Sequence, residues 1–207
     1  MTQRNNRPAP TVWIVDDDEA MRSSLKWLIE SVGMRVESHS SANEFLQTHY
    51  PGRFGCLLLD VRMPGMSGLE LIEHLGAQQM MPPTIIITGH GDVPMAVRAM
   101  KSGALDFIEK PFNDEVLLDA IRRALVAEEQ RRDITAEVAD VAARLAHLTP
   151  REHEVMQMVT EGKSNKEIAN SLGVSAKTVE AHRARVMEKM QAGSLAELVR
   201  MAIAVEQ

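Results

Sequence analysis

From Thr11 onward, short runs of apolar residues alternate with longer segments in which apolar positions recur every three or four residues. Val12-Trp13-Ile14-Val15 is an unbroken apolar run, the mark of a strand buried on both faces. Leu25, Leu28, Ile29 and Val32 then fall on one face of a helix that should stop at Gly33. The same alternation predicts strands near residues 35–38, 56–61, 84–88 and 105–109, and helices over about 42–48, 67–75, 93–101 and from about 113. Pro51-Gly52 breaks the chain before the third strand, and Pro64-Gly65 stops it afterwards. Strand then helix, five times over, predicts an α/β domain with a doubly wound parallel sheet.

Five such units usually take the flavodoxin-like strand order, so the expected fold is a (βα)5 domain over residues 11–127 behind a disordered lead at 1–10. The pattern then changes. Val116, Leu117, Ala120, Ile121, Ala124 and Leu125 supply a packing face, after which Ile134, Val138, Val141, Leu145 and Leu148 recur at heptad-like spacings of four, three, four and three. With neither Gly nor Pro between Asn113 and Thr149, a long linker helix is expected over 128–147. Its stripe either packs on one domain or pairs with a second copy of the chain.

Thr149-Pro150-Arg151-Glu152 opens a new region with a capping box, Pro at the first helical position and Leu148 as a staple. Helices are expected at about 150–160, 165–172, 175–190 and 194–205, an all-α domain over 148–207. Two short helices joined by a tight turn at Gly173 form the helix-turn-helix pattern.

Composition narrows the class. Hydrophobic residues make up 44% and charged residues 25%, as in ordinary globular domains. Cys56 is the single cysteine, which excludes an intrachain disulfide, and no apolar run approaches the roughly 20 residues that span a bilayer. A cytoplasmic protein with no membrane partner is expected. The net charge of -6 is unevenly spread: residues 1–127 carry 12 Lys and Arg against 16 Asp and Glu, while residues 148–207 carry 8 against 8. Lys177, Arg183, Arg185 and Lys189 lie on one predicted helix with only Glu180 and Glu188, so a polyanion-binding face is open to the C-terminal end.

The candidate chemistry sits at strand ends. Asp60 follows Cys56-Leu57-Leu58-Leu59, at the carboxyl edge where open α/β sheets place their ligands. Asp16-Asp17-Asp18-Glu19 follows the first strand, and parallel strands bring those ends to one edge. Packed carboxylates need a cation, and hard oxygen ligands suit Mg²⁺. Asp60 could then attack a phosphoryl group and form an aspartyl phosphate, with the Thr88 hydroxyl and the Lys110 ammonium, at the fourth and fifth strand ends, holding its oxygens. Lys110-Pro111 is a candidate cis bond. Each residue alone is more often a cap or a turn; together, on alternate units, they argue for a site.

These residues resemble a known family. Ile14-Val15-Asp16-Asp17-Asp18, Leu59-Asp60-Val61-Arg62-Met63-Pro64-Gly65-Met66-Ser67-Gly68, Ile87-Thr88-Gly89-His90-Gly91-Asp92 and Phe107-Ile108-Glu109-Lys110-Pro111-Phe112 resemble the receiver domain of two-component response regulators. The resemblance implies Asp60 as phosphoacceptor, and Mg²⁺ on Asp16, Asp17, Asp60 and the backbone carbonyl of Arg62. It also implies a switch made of Thr88, Phe107 and Lys110. Leu148-Thr149-Pro150-Arg151-Glu152, Gly162-Lys163-Ser164-Asn165-Lys166-Glu167-Ile168-Ala169 and Lys177-Thr178-Val179-Glu180-Ala181-His182-Arg183 resemble the LuxR/FixJ/NarL-type DNA-binding domain, and the pair together resembles the FixJ-like subgroup.

Helical geometry is consistent with that reading. Val179, Val186 and Met190 should face the core, turning Lys177, Glu180, Ala181, Ala184 and Arg185 outward. Ala181 and Ala184 permit close approach to bases, Arg185 can reach guanine and Glu180 cytosine, while Lys166, Lys177, Thr178, His182 and Arg183 suit phosphates. The implied partners are a sensor histidine kinase, double-stranded promoter DNA, a second copy on phosphorylation, and RNA polymerase. Two other readings stay open: a Mg²⁺-dependent phosphatase, against which Arg62 stands where a general acid is usual, and an interaction protein with a silent DNA helix.

Overall fold

The computed structural model describes residues 9–49, 52–89 and 91–206, and the chain divides into two compact units at Arg131 and Arg132. Residues 1–8 of the expected disordered lead, Pro51 of the expected break and His90 lie outside the described residues.

The first unit is a five-stranded parallel sheet of β1 (Thr11–Val15), β2 (Arg35–His39), β3 (Gly55–Leu59), β4 (Thr84–Thr88) and β5 (Asp106–Glu109), in the order β2-β1-β3-β4-β5. Helices α1 (Glu19–Ser31), α2 (Ala42–Thr48), α3 (Gly68–Ala77), α4 (Val93–Lys101) and α5 (Asp114–Ala146) alternate with them. The flavodoxin-like expectation holds. The sheet is sealed on two sides because successive strand residues point to opposite faces. Trp13, Val15, Leu57, Leu59 and Ile86 join Phe45, Leu71, Ile72 and Leu75 in one core. Val12, Ile14, Leu58, Ile85 and Ile87 join Leu25, Ile29, Leu117 and Ile121 in the other. Cys56 is fully buried in β3, and burial pushes its thiol up to about 12, which leaves it unreactive.

Three expectations at element ends need correction. The third strand ends at Leu59, two residues short of the expected 56–61, because the Asp60 carboxylate accepts the Arg62 N–H at 2.6 Å and folds the chain into a turn. Val61 and Met63 remain buried in that loop. Val32 is the exposed C-cap of α1, its N–H bonded to the carbonyls of Glu30 and Ile29, so the core face ends at Ile29. Val116 is 53% exposed, and the packing face of α5 begins at Leu117.

The long helix is present as one element of 33 residues, and its apolar stripe divides. Val141 lies in the core of the second unit with Leu145 and Leu148 against it, whereas Ile134 is 63% exposed. The second unit continues through α6 (Pro150–Thr160), α7 (Asn165–Leu172), α8 (Ala176–Met190) and α9 (Leu195–Glu206). Its core gathers Val155, Val159, Ile168, Val179, Val186, Met190 and Leu198, including the three α8 residues expected to face inward. Gly173 ends α7 in the left-handed conformation that glycine adopts freely, and the chain turns into α8.

The expected capping box is formed. Thr149 Oγ1 accepts the Glu152 N–H, and Glu152 Oε2 accepts the Thr149 N–H at 2.9 Å. Glu152 is 2% exposed and also accepts Lys189 Nζ at 2.6 Å. The Lys189 ammonium first, and the Thr149 N–H second, hold the Glu152 carboxyl down at about 2. Since folding lowers this pKa, its stabilisation is complete above the ordinary carboxylate value of about 4.3 and disappears as pH falls towards 2. Glu152→Gln should therefore destabilise the second unit by roughly 2 kcal/mol at pH 7 and flatten its loss of stability across that acid window, read by urea unfolding at several pH values.

Candidate functional site

Register brings the two key acids together. Val15 pairs with Leu59 across β1 and β3, so the next residues, Asp16 and Asp60, leave the sheet side by side at its carboxyl edge. Both are buried, at 3% and 8% exposure. Lys110 follows β5, its N–H donating to the Thr88 carbonyl at 2.8 Å, and its ammonium reaches back to both acids. Nζ lies 2.8 Å from Asp16 Oδ2 and 3.0 Å from Asp60 Oδ1. The Lys110-Pro111 peptide is cis, as expected.

The remaining oxygens of the pair are held by backbone. Asp16 Oδ1 accepts the Asp18 N–H at 2.9 Å and Asp60 Oδ2 accepts the Arg62 N–H. Asp18 is the N-cap of α1, accepting from the Ala20 and Met21 N–H groups, which separates its role from that of Asp16. Asp17 is exposed on the same loop. Arg22 Nη1 donates to the Asp16 carbonyl at 2.8 Å and fastens that loop from below; nothing in its spacing marks it in the sequence.

Two acids share one ammonium, and the electrostatics reflect that imbalance. Burial raises the Asp60 pKa against the opposing pull of Lys110 and the Arg62 N–H, and the Asp16 charge adds to the rise. For Lys110, burial works against the charged form, yet hydrogen bonds and charge from both carboxylates overcome it and raise its pKa. Among the described residues no three His, Cys, Asp or Glu side chains form a ready metal cage. The adjacent Asp16 and Asp60 carboxylates nevertheless suit Mg²⁺, which takes few carboxylates and keeps several waters.

Around the pair, Thr88 is buried at the end of β4, and the half-buried Phe107 of β5 packs against the core on the α3 and α4 side. Gly91 fits closely there: a Cβ on it would lie 2.9 Å from Phe107 Cε1 and 3.6 Å from Thr88 Cγ2. A Cβ on Gly68 would meet the Asp60 carbonyl oxygen at 2.2 Å, so only glycine lets α3 begin against the phosphoacceptor candidate. At Gly89, by contrast, a Cβ would meet nothing within 4 Å.

On the second unit, Lys166, Lys177, Thr178, Glu180, Ala181, Ala184 and Arg185 are exposed. Three of the proposed phosphate contacts are turned inward or partly committed elsewhere. Arg183 Nη1 donates to Asn165 Oδ1 at 2.7 Å, bracing α8 against the first residue of α7. His182 turns its Nδ1 into the protein, where it has no hydrogen-bond partner. The Thr178 hydroxyl lies 2.8 Å from Ser175 Oγ, inside the α8 cap.

Residues 12–122 match the response regulator receiver domain, and residues 146–202 match the luxR family of bacterial regulatory proteins. The chain belongs to the response regulators. Its FixJ/NarL type is shared with the transcriptional regulatory protein FixJ of Rhizobium meliloti, which is 52% identical over 94% of this chain and 95% of that protein. FixJ of Azorhizobium caulinodans is 50% identical over 93% and 91%. Among solved structures, the response regulator StyR is similar with a TM-score of 0.84 at 44% identity, covering 95% of this chain and 99% of that one. Full-length FixJ from B. japonicum gives 0.59 at 47%, covering 97% and 98%. This response regulator is thus a two-component transcription regulator with a LuxR-type helix-turn-helix. Among its described residues, no helix is long and apolar enough to cross a membrane.

Because folding raises the Asp60 pKa, this carboxylate detracts from stability once pH exceeds its ordinary value, so the acid pair strains the unit that carries it. Asp60→Asn should stabilise the first unit at pH 7, while Lys110→Met, leaving two buried acids unpaired, should destabilise it by about 2–4 kcal/mol. Chemical denaturation of the full chain checks both signs, and a destabilised Asp60→Asn would contradict the account of the pocket.

Proposed function

We propose that Asp60 is the phosphoacceptor and that its phosphorylation controls promoter binding by the C-terminal helix-turn-helix. The observation that carries this is the Lys110 ammonium shared between Asp16 and Asp60, an arrangement ready to exchange one carboxylate partner for a phosphoryl group. Asp16, Asp17, Asp60 and the Arg62 carbonyl would hold Mg²⁺, which supplies positive charge to neutralise an incoming phosphoryl group. An Asp60 carboxylate oxygen forms the new bond to phosphorus as the bond to the phosphohistidine nitrogen of a sensor histidine kinase breaks. Lys110 then pairs with a phosphoryl oxygen and Thr88 donates its hydroxyl to another. Drawing Thr88 towards the phosphate vacates space beside Gly91 into which the Phe107 ring turns, altering the face made by α4 and β5.

The output reading follows from the exposed side chains of α8. Ala181, Ala184, Arg185 and Glu180 face base edges in the major groove, and Lys166, Lys177 and Thr178 face phosphates. Arg183 and His182 contribute through packing as well as through any phosphate contact. Two phosphorylated copies bind paired half-sites and meet RNA polymerase at the promoter. The working parts are the receiver at 11–127, the linker at 128–147 and the DNA-binding domain at 148–207, acting in the cytoplasm. The protein turns over no external substrate.

Wild type and Asp60→Asn are treated with acetyl phosphate and Mg²⁺, then followed by intact mass, oligomeric state and DNA binding. Wild type should gain one phosphoryl group, self-associate and bind DNA more tightly; the variant should do none of these. Equal gains by both would remove Asp60 from the mechanism.

A further inference from the structure

The carboxyl ends of α5 and α8 cap each other. Every helix leaves its last carbonyls without intrahelical partners, and cations near that end are favoured by the helix dipole. In α8, the Gln191 and Ala192 N–H groups serve the Glu188 and Met187 carbonyls, and the Met190 carbonyl accepts Arg144 Nη1 from the last turn of α5 at 3.0 Å. In return, Lys189, in the last turn of α8, reaches the His147 carbonyl just beyond α5 at 3.2 Å. Each cation is fixed from its other side. Asp140 accepts from Arg144 Nη2 at 2.5 Å, and Glu152 Oε2 accepts from Lys189. Val141 and Leu145 pack beneath this crossing in the same core as Val186 and Met190.

Lys189 looks in sequence like one more phosphate-binding cation on the DNA-reading helix, but its charge is spent inward. We propose that Arg144 and Lys189 are positioning residues for DNA reading, a reciprocal clamp that fixes the angle of α8 by tying its end to the last turn of the linker helix. The inference rests on α8 being the DNA-reading helix. It makes the stretch from Asp140 to Leu148 part of the reading apparatus, and it gives any movement of that last turn a direct hold on the groove-facing residues.

The test uses full-length protein treated with acetyl phosphate and Mg²⁺, and compares wild type, Arg144→Gln, Lys189→Met, the double variant and Arg144→Lys. The probes are a short duplex enriched from a randomised pool by wild type, and poly(dI-dC) as non-specific DNA. Thermal melting verifies that each variant is folded. The double variant should bind the enriched duplex about tenfold more weakly while keeping its affinity for poly(dI-dC) and its salt slope, since no phosphate contact is lost. The two single losses should not add, because either one opens the clamp, and Arg144→Lys should recover most of the affinity. Unchanged discrimination between the two probes would overturn the proposal. So would equal losses on both, or a salt slope lowered by about one, which marks a direct phosphate contact. If wild type enriches no sequence, the assignment of α8 as the reading helix fails, and the clamp's role falls with it.

Discussion

Two carboxylates at adjacent ends of parallel strands repel each other, and the receiver unit is arranged around managing that repulsion. The pairing of Val15 with Leu59 leaves no choice about where Asp16 and Asp60 emerge. One ammonium, delivered from β5, pairs with both, while the Asp18 and Arg62 N–H groups take the oxygens that Lys110 does not reach. Burial on both faces of the sheet makes this arrangement both rigid and electrostatically expensive, because charges separated from water interact strongly and tolerate no missing partner. A site with two carboxylates and one ammonium is left with an excess of negative charge, the condition that favours a further cation.

Much of this was legible in the chain because it follows from periodicity and punctuation. β4 and α4 fall where apolar runs and turn residues put them, and the Thr149 capping box is fully described by four residues. What escaped depends on contacts between distant segments or on local hydrogen bonds that override the apolar pattern. Val61 is as hydrophobic as Leu59, yet the Asp60–Arg62 turn ends the strand between them. Arg22 shows no spacing relation to Asp16 that would predict a bond to its carbonyl, and Gly68 acquires its role only from the proximity of the Asp60 backbone. On α8, exposure followed helical geometry closely; the exceptions, His182 and Arg183, sit at the margin of the core, where a long side chain can turn either way.

The Gly91 backbone, the Phe107 ring and the Thr88 methyl occupy one small space. Three groups from two strands and a loop cannot rearrange independently there, since protein interiors leave few voids to move into. Any rearrangement of one of them must therefore be accommodated by the others.

The division of the α5 stripe bears on how such proteins can be recombined. Val141 and Leu145 belong to the second core and Leu117 to Ala124 belong to the first, whereas Ile134 between them is exposed. A chimaera joined at the apparent start of the C-terminal domain, Leu148, would strip that domain of buried side chains and leave an apolar scar on the donor. A junction placed near Ile134 would cut through neither core, and evolution could exchange sensory inputs there at little cost to either fold.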